Sequence, residues 1–289
     1  MRPLESCPVC GGRALRPFAM DPWSPRCLHF AQVRCAGCGL VAAQPQATED
    51  ELDAYYTSIY YEQHSDSAET HWQENVRDYP LYEVPLMERL WAAFPPPRGA
   101  SVAEIGCGHG SLLTVLNERG YRTRGVEISP AAVAFCGAKG LDVIAGKTFE
   151  DPALQGTFDV VVALQVIEHV PDPRAFARSL IHLAKPGGIV AVATEGIWTS
   201  QYALACATAW ATGKIAPYRS STLHTFVFQE SHLERLFREE GCESARAVTY
   251  QRGAPGGNLH WRLYKKMFHT IDRLTGHGDY LMVVGHRAP

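Results

Sequence analysis

A glycine turn framed by two acids constrains this chain more than any other feature. Residues 104–110 read Glu-Ile-Gly-Cys-Gly-His-Gly, and a second acid, Glu127, closes the next apolar run, Arg124-Gly125-Val126-Glu127-Ile128. The run before the turn, Ser101 to Ile105, is short and β-prone; the one after it, Ser111 to Arg119, has helical spacing and stops at Gly120. The local order is therefore strand, glycine turn, helix, strand, acid. Gly106, Gly108 and Gly110 remove Cβ atoms where a ligand lies against the backbone. A carboxylate at the tip of the second strand can accept both hydroxyls of a ribose. The implied ligand is an adenosine derivative.

The glycine spacing says which one. A dinucleotide fold wants G-x-G-x-x-G with its pyrophosphate on a helix N-terminus, whereas here the spacing is G-x-G-x-G and Ser111 holds the third place. Glu104 adds negative charge where a diphosphate would lie, and suits instead a cofactor carrying a sulfonium and an ammonium. Further along, Phe158 to Leu164 has the composition of a buried parallel strand, followed by Gln165-Val166-Ile167-Glu168-His169-Val170-Pro171-Asp172-Pro173. Asp172 should cap a helix with Pro173 in its first turn and an end at Leu183, before Lys185-Pro186-Gly187-Gly188 turns into a strand over Ile189 to Thr194. In these motifs and their order over about 90 residues, the chain resembles the class I S-adenosylmethionine (SAM)-dependent methyltransferases. The resemblance implies a Rossmann-like α/β fold with a seven-stranded sheet. It implies cofactor contacts from Glu104, Gly106, Cys107, Gly108, Gly110, Glu127, Ile128, Leu164, Gln165 and His169, and from Phe149 and Glu150 after a third strand at Leu141 to Ala145.

Four of the nine cysteines have an arrangement of their own. Cys7-Pro8-Val9-Cys10-Gly11-Gly12 and Cys35-Ala36-Gly37-Cys38-Gly39-Leu40 are two C-x-x-C-G knuckles with 24 residues between them, each able to present two thiolates to one metal. That is the pattern of a tetrahedral zinc ribbon, and four protein ligands close the coordination shell, so the expected zinc is structural and not catalytic. Cys27 and His29 lie between the knuckles without their context. Cys107, Cys136, Cys206 and Cys242 sit in apolar surroundings and read as buried small hydrophobes.

With 289 residues, 46% of them hydrophobic, the chain can bury one α/β core and carry a small accessory module. The expected division is a zinc ribbon over 1–45, an aromatic-rich helical linker or lid over 46–97, and a methyltransferase domain over 98–289 with a helical insertion at about 196–230 after the fifth strand. The linker, with helical stretches at Glu49 to Tyr56 and Leu81 to Phe94, carries Tyr60 and Tyr61, either of which could cover the cofactor, since aromatic faces favour a sulfonium. The insertion opens with an apolar helix, Trp198 to Trp210, and carries His224. Ser231 to Glu234 reads as a capping box. Glu243 to Tyr250 and Asp279 to His286 read as closing strands, and Leu259, Leu263, Met267 and Ile271 form a helical stripe expected to pack inward. A net charge of −3, no apolar run of roughly 20 residues and no apolar signal region at the N-terminus give no reason to expect a membrane and point to the cytoplasm.

Methyl transfer is an in-line displacement at carbon, so the protein mainly positions reactants and excludes water; a base is needed only where the acceptor keeps its proton. His169, past the end of the fourth strand, and His224, in the insertion, are the candidate catalytic residues. If either is the base, the rate should inflect near the ordinary histidine pKa, roughly 6 to 7. Glu168 reads as a cofactor-side or helix-cap contact, and His109 as part of the glycine turn. The expected acceptor is a small molecule, a sugar or secondary metabolite, methylated on oxygen or carbon. An RNA acceptor gripped by the ribbon is the alternative, because residues 1–45 hold five arginines against Glu5 and Asp21. Those arginines are scattered without lysines, and no Asn/Asp-Pro-Pro-Tyr/Phe motif follows the fourth strand, which weighs against nucleic acid. A non-enzymatic SAM-binding scaffold is the third reading. Oligomeric state and acceptor identity are not legible.

Overall fold

A computed structural model of the chain describes residues 2–20, 31–60, 67–147, 151–196, 204, 211, 224–252, 259–275 and 277–289. Its centre is a seven-stranded sheet in the order β10-β11-β8-β7-β4-β5-β6. The strands are β4 (Ser101–Ile105), β5 (Arg122–Glu127), β6 (Val143–Ala145), β7 (Phe158–Leu164), β8 (Ala184–Glu195), β10 (Cys242–Tyr250) and β11 (Tyr280–Arg287). β4 pairs in parallel with both β5 and β7, β5 with β6, and β7 with β8; β11 runs antiparallel to β8 and β10. The chain thus leaves β4 in one direction and returns to its other side at β7, which opens a crevice at the carboxyl ends of the two strands. The seven-stranded Rossmann-like sheet expected from the sequence is present, with the last strand antiparallel as anticipated.

The apolar runs are nearly continuous because both faces are covered. Alternate residues divide between two cores. Ala103, Ile105, Val161, Ala163, Val190, Val192, Leu281 and Val283 face one layer with Phe176, Leu180, Leu233 and Phe237; Val102, Val160, Val162, Ala191 and Met282 face the other with Val84, Met87, Leu112 and Leu116. The helices over these faces, numbered in chain order, begin with α1 (Glu49–Ala54), which continues as a π-helical turn over Tyr55–Tyr60. Then come α2 (Ala68–Asp78), α3 (Glu83–Leu90), α4 (Ser111–Glu118), α5 (Pro130–Ala138), α6 (Pro173–Leu183), α7 (Glu230–Glu239) and α8 (Leu259–Thr275). Asp172 caps α6 as expected, accepting from the Arg174 and Ala175 amides.

Several boundaries move. β6 begins two residues later than Leu141. β8 begins at Ala184: Phe158 pairs with Ala184 and Val160 with Ile189, so the Lys-Pro-Gly-Gly segment is a bulge inside the strand and not a turn before it. α7 begins at Glu230, so Ser231 is not its cap; the Nδ1 of His232 accepts instead from the Gln229 N–H at 3.0 Å. The α8 stripe does not pack inward along its length: Leu263 is 56% exposed, Met267 51% and Ile271 39%. No helix among the described residues is long and apolar enough to cross a membrane.

A second sheet joins β1 (Leu15–Met20), β2 (Ala31–Cys35) and β3 (Val41–Gln44) to β9 (Phe226–Val227), all antiparallel. The described end of the expected insertion is therefore a strand that completes the N-terminal sheet. Leu204 and Ala211 are other described positions of the insertion, both helical; the rest of the helix expected from Trp198 to Trp210 lies outside the described residues, as do Cys27 and His29. His232 fastens the two parts together. Because its Nδ1 accepts a backbone N–H, the proton is on Nε2, which donates to the Cys38 carbonyl at 2.9 Å. Arg174 adds bonds to the Pro8 and Val9 carbonyls at 3.0 and 2.7 Å while paired with Glu239 and Glu240.

Candidate active site

The residues expected to face the cofactor gather, where described, at the carboxyl ends of β4, β5 and β7. Gly106 has φ +71°, and a Cβ there would lie 2.6 Å from Val166 Cγ2, so a side chain is excluded both by backbone conformation and by the β7 loop pressed against the turn. Gly110, at φ +72°, begins α4. The Gly108 N–H donates to Glu127 Oε2 at 2.9 Å and the Ser129 N–H to Oε1 at 2.8 Å. These bonds fix the carboxylate in place at the tip of β5. Glu104 is 3% exposed, and its Oε2 has no hydrogen-bond partner among the described residues. Burial, with Cys136 and Glu127 adding to it, holds its carboxyl well above the usual range. A buried acid with one oxygen unpartnered and only the Leu113 amide acting to lower its pKa, beside an aligned diol acceptor, fits an ammonium-bearing adenosyl cofactor. Cys107 is buried and Ile128 half-buried beside them. Phe149 and Glu150 lie outside the described residues. His109 packs its ring 5.0 Å from Phe135, within the turn, as expected. Cys107, Cys136 and Cys242 are buried; Cys206 lies outside the described residues.

Beyond β7 the backbone is strained. Gln165 is the one non-glycine residue with positive φ among the described residues, at +58°, and its N–H donates to Ala193 O at 2.8 Å. Leu164 is buried just before it. The turn that follows presents Glu168 and His169 to the space under β8, where the chain returning at His224 meets them. The His169 and His224 rings lie 4.7 Å apart, edge to face, and His224 Nδ1 is 3.2 Å from Glu195 Oε2. The Thr225 N–H donates to Glu168 O at 2.7 Å, which sets the position of His224. Burial, and then His169, push His224 down to about 3, so the ring is neutral and the inflection expected near the ordinary histidine value does not belong to it. Glu168 is 1% exposed and burial raises it to about 7, partly offset by the nearby Thr194 hydroxyl and the Glu168 and Glu195 amides. Burial, Glu168 and Asp279 raise Glu195 as well.

Two residues here escaped the sequence reading. Glu195 ends β8 and carries no motif. Tyr56 places its ring 5.7 Å from His169, whereas Tyr61 lies outside the described residues and Tyr60 ends the π-helical turn. Tyr56 lies within the π-helical turn, whose i→i+5 bonding redirects side chains that a 3.6-residue count would place elsewhere.

The N-terminal knuckles form one cluster. Cys7 Sγ is 3.5 Å from Cys38 Sγ, and Cys10 Sγ 3.5 Å from Cys35 Sγ, with all four sulfurs within 4.8 Å of one another. Tetrahedral zinc–sulfur bonds of about 2.3 Å give sulfur separations of roughly 3.8 Å, inside the span of 3.5 Å to 4.8 Å that this cluster covers.

A family described as a methyltransferase domain matches residues 73–246. The chain belongs to this family. It is 28% identical over 193 residues to a ubiquinone biosynthesis O-methyltransferase of Ralstonia nicotianae, covering 64% of this chain and 81% of the relative. A protein of the same name from Thiobacillus denitrificans is 30% identical over 189 residues, covering 62% and 81%. Among solved structures, a SAM-dependent methyltransferase from Thermotoga maritima superposes with a TM-score of 0.52 at 18% identity, covering 78% of this chain and 98% of that one. The methyltransferase is a SAM-dependent enzyme.

Proposed function

We propose that this methyltransferase transfers a methyl group to an oxygen of a small-molecule acceptor seated against His169 and His224. The observation that carries the reading is the convergence of two histidines and two acids with raised pKa, Glu168 and Glu195, at the strand ends beside the glycine turn. Polar groups of this kind suit a hydroxyl that must be oriented and relieved of its proton. The O-methyltransferase names of the relatives support the choice of oxygen. When bound, S-adenosylmethionine supplies a methyl group already activated by its sulfonium. Glu127 would hold the ribose hydroxyls, Glu104 the ammonium end, and the backbone from Gly106 to Gly110 the face between, with Leu164 and Gln165 bordering them. His169 and His224 would orient the acceptor, and Tyr56 would help keep water from it. The four cysteines would hold a structural zinc ion.

The test is a product screen with labelled cofactor against phenols, sugars and total RNA. Methylation of a hydroxyl compound and none of RNA supports the reading; transfer to RNA alone would overturn it. His169→Ala and His224→Ala should each lower the single-turnover rate on the accepted compound about 10²-fold with cofactor affinity nearly intact. Metal analysis of protein prepared without chelator should find zinc bound at the ribbon, and Cys38→Ser should lose that zinc.

A further inference from the structure

The acceptor end of the site has the makings of a metal centre. Glu168, His169 and His224 place one ligand-type atom each within 4.8 Å of one another. Neither oxygen of Glu168 closes a hydrogen bond among the described residues, the Thr194 hydroxyl and the Glu168 and Glu195 amides lying near it without bonding geometry, although the side chain is almost fully buried. A buried carboxylate without a donor costs several kcal/mol in general unless it is protonated or paired with a cation. The groups around it are the Thr194 hydroxyl, a second carboxylate, Glu195, two imidazoles and the Tyr56 ring, none of which carries a positive charge of the lysine or arginine kind. Two imidazole nitrogens and one carboxylate on one side of a crevice are the donor set that borderline divalent cations take, with open positions left for exogenous oxygen.

We infer that Glu168, His169 and His224 bind a divalent first-row cation of the zinc type, on whose open side the acceptor oxygen is held. Glu195 would stand behind it. Its carboxylate, 3.2 Å from His224 Nδ1, would accept the Nδ1–H and leave Nε2 as the ligand, the usual carboxylate–histidine–metal relay. The inference rests on the reading of a hydroxyl-bearing acceptor for what the cation does there: it makes the hydroxyl more acidic. The O–H bond then breaks with its proton passing to solvent, the oxygen–methyl bond forms, and the methyl–sulfur bond breaks with its electron pair leaving on S-adenosylhomocysteine.

Cobalt substitution separates this site from the ribbon, because thiolate ligands give intense charge-transfer absorption and a histidine–carboxylate set does not. Metal-stripped protein should take up Co2+ in two spectroscopic classes, one with thiolate charge transfer and one without. Glu168→Gln, His169→Ala and His224→Ala should each abolish the second class and keep the first, while Glu195→Gln should weaken the second by roughly 10–100-fold. Each variant is first shown to bind S-adenosylmethionine normally, so that a misfolded one is replaced in the comparison by the next. Uptake of the thiolate class alone at saturating Co2+, or survival of the second class in all three ligand variants, overturns the inference. The titration needs no acceptor: a second class with no hydroxyl methylation would sink the functional reading alone, and hydroxyl methylation with no second class would sink the metal alone.

Discussion

His232 is the sharpest point at which to test how the N-terminal sheet is held. It is 2% exposed and makes two bonds in opposite directions, Nδ1 accepting from the Gln229 N–H and Nε2 donating to the Cys38 carbonyl, at 3.0 and 2.9 Å. Burial lowers its pKa, so the neutral ring performs both roles. His232→Ala would orphan one donor and one acceptor, each worth about 1–3 kcal/mol when buried. Because Cys38 is only half-buried and its carbonyl can find water, the lower half of the summed range applies, about 2–4 kcal/mol. Two conservative variants divide the loss. Asn places an oxygen near the position of Nδ1 and keeps the bond to Gln229; Gln places its amide nitrogen near Nε2 and keeps the bond to Cys38. Urea denaturation of the three variants, paired with the rate at which a chelator strips metal from the ribbon, reads the two bonds separately. Asn and Ala should both lose metal faster than wild type, and Gln should not. If His232→Ala unfolds within about 0.5 kcal/mol of wild type, as surface substitutions do, the clamp is decorative and the reasoning fails.

Three further outcomes are expected. Glu127→Ala should weaken S-adenosylmethionine binding at least tenfold, about 1.4 kcal/mol, measured by calorimetry, and should also lower thermal stability because the Gly108 and Ser129 amides lose their acceptor; unchanged affinity would remove Glu127 from the site. Gly106→Ala should destabilise by at least about 1–2 kcal/mol for the left-handed backbone and more for the Val166 contact, so Val166→Ala should recover part of the loss and not all of it. Asp159 is held below the usual carboxylate range: burial raises it, but Lys185 and the Ser101 amide and hydroxyl outweigh that. A depressed folded pKa contributes stability above the unfolded value of about 4 and loses it as pH falls through the folded value. Asp159→Asn should therefore flatten the acid limb of the stability curve by about 1 kcal/mol, the half-exposed Lys185 limiting the effect.

What the sequence disclosed follows the locality of each signal. Ser101–Ile105, Phe158–Leu164 and Pro173–Leu183 have the expected bounds because apolar runs are punctuated by residues that cannot continue them: Gly106, Gln165 in its strained turn, and the Asp172-Pro173 cap. The knuckles were legible for the same reason, since each thiolate pair is made by one short turn. Phe226–Val227 was not. Two residues carry no periodicity, and only pairing with Val41 and Ala42 makes them a strand. The α8 stripe had the right period for a helix, yet period does not say which neighbour a face meets, and Leu263 and Met267 meet solvent. The meeting of His169 with His224, far apart in the chain, is a product of the same return pairing. Glu195 gave no sign because a strand-end acid has no pattern until the strand beside it is known.

The edge strand Phe226–Val227 gives the protein an unusual order of manufacture. The three strands it completes end at Gln44, so about 180 residues must be synthesised before their partner exists. At about 5–20 residues per second that is roughly ten to forty seconds on the ribosome, during which Val41 and Ala42 present an unpaired edge. The segment that relieves it is the one that carries His224. A nascent chain therefore shields its earliest sheet and brings His224 to His169 in the same late event.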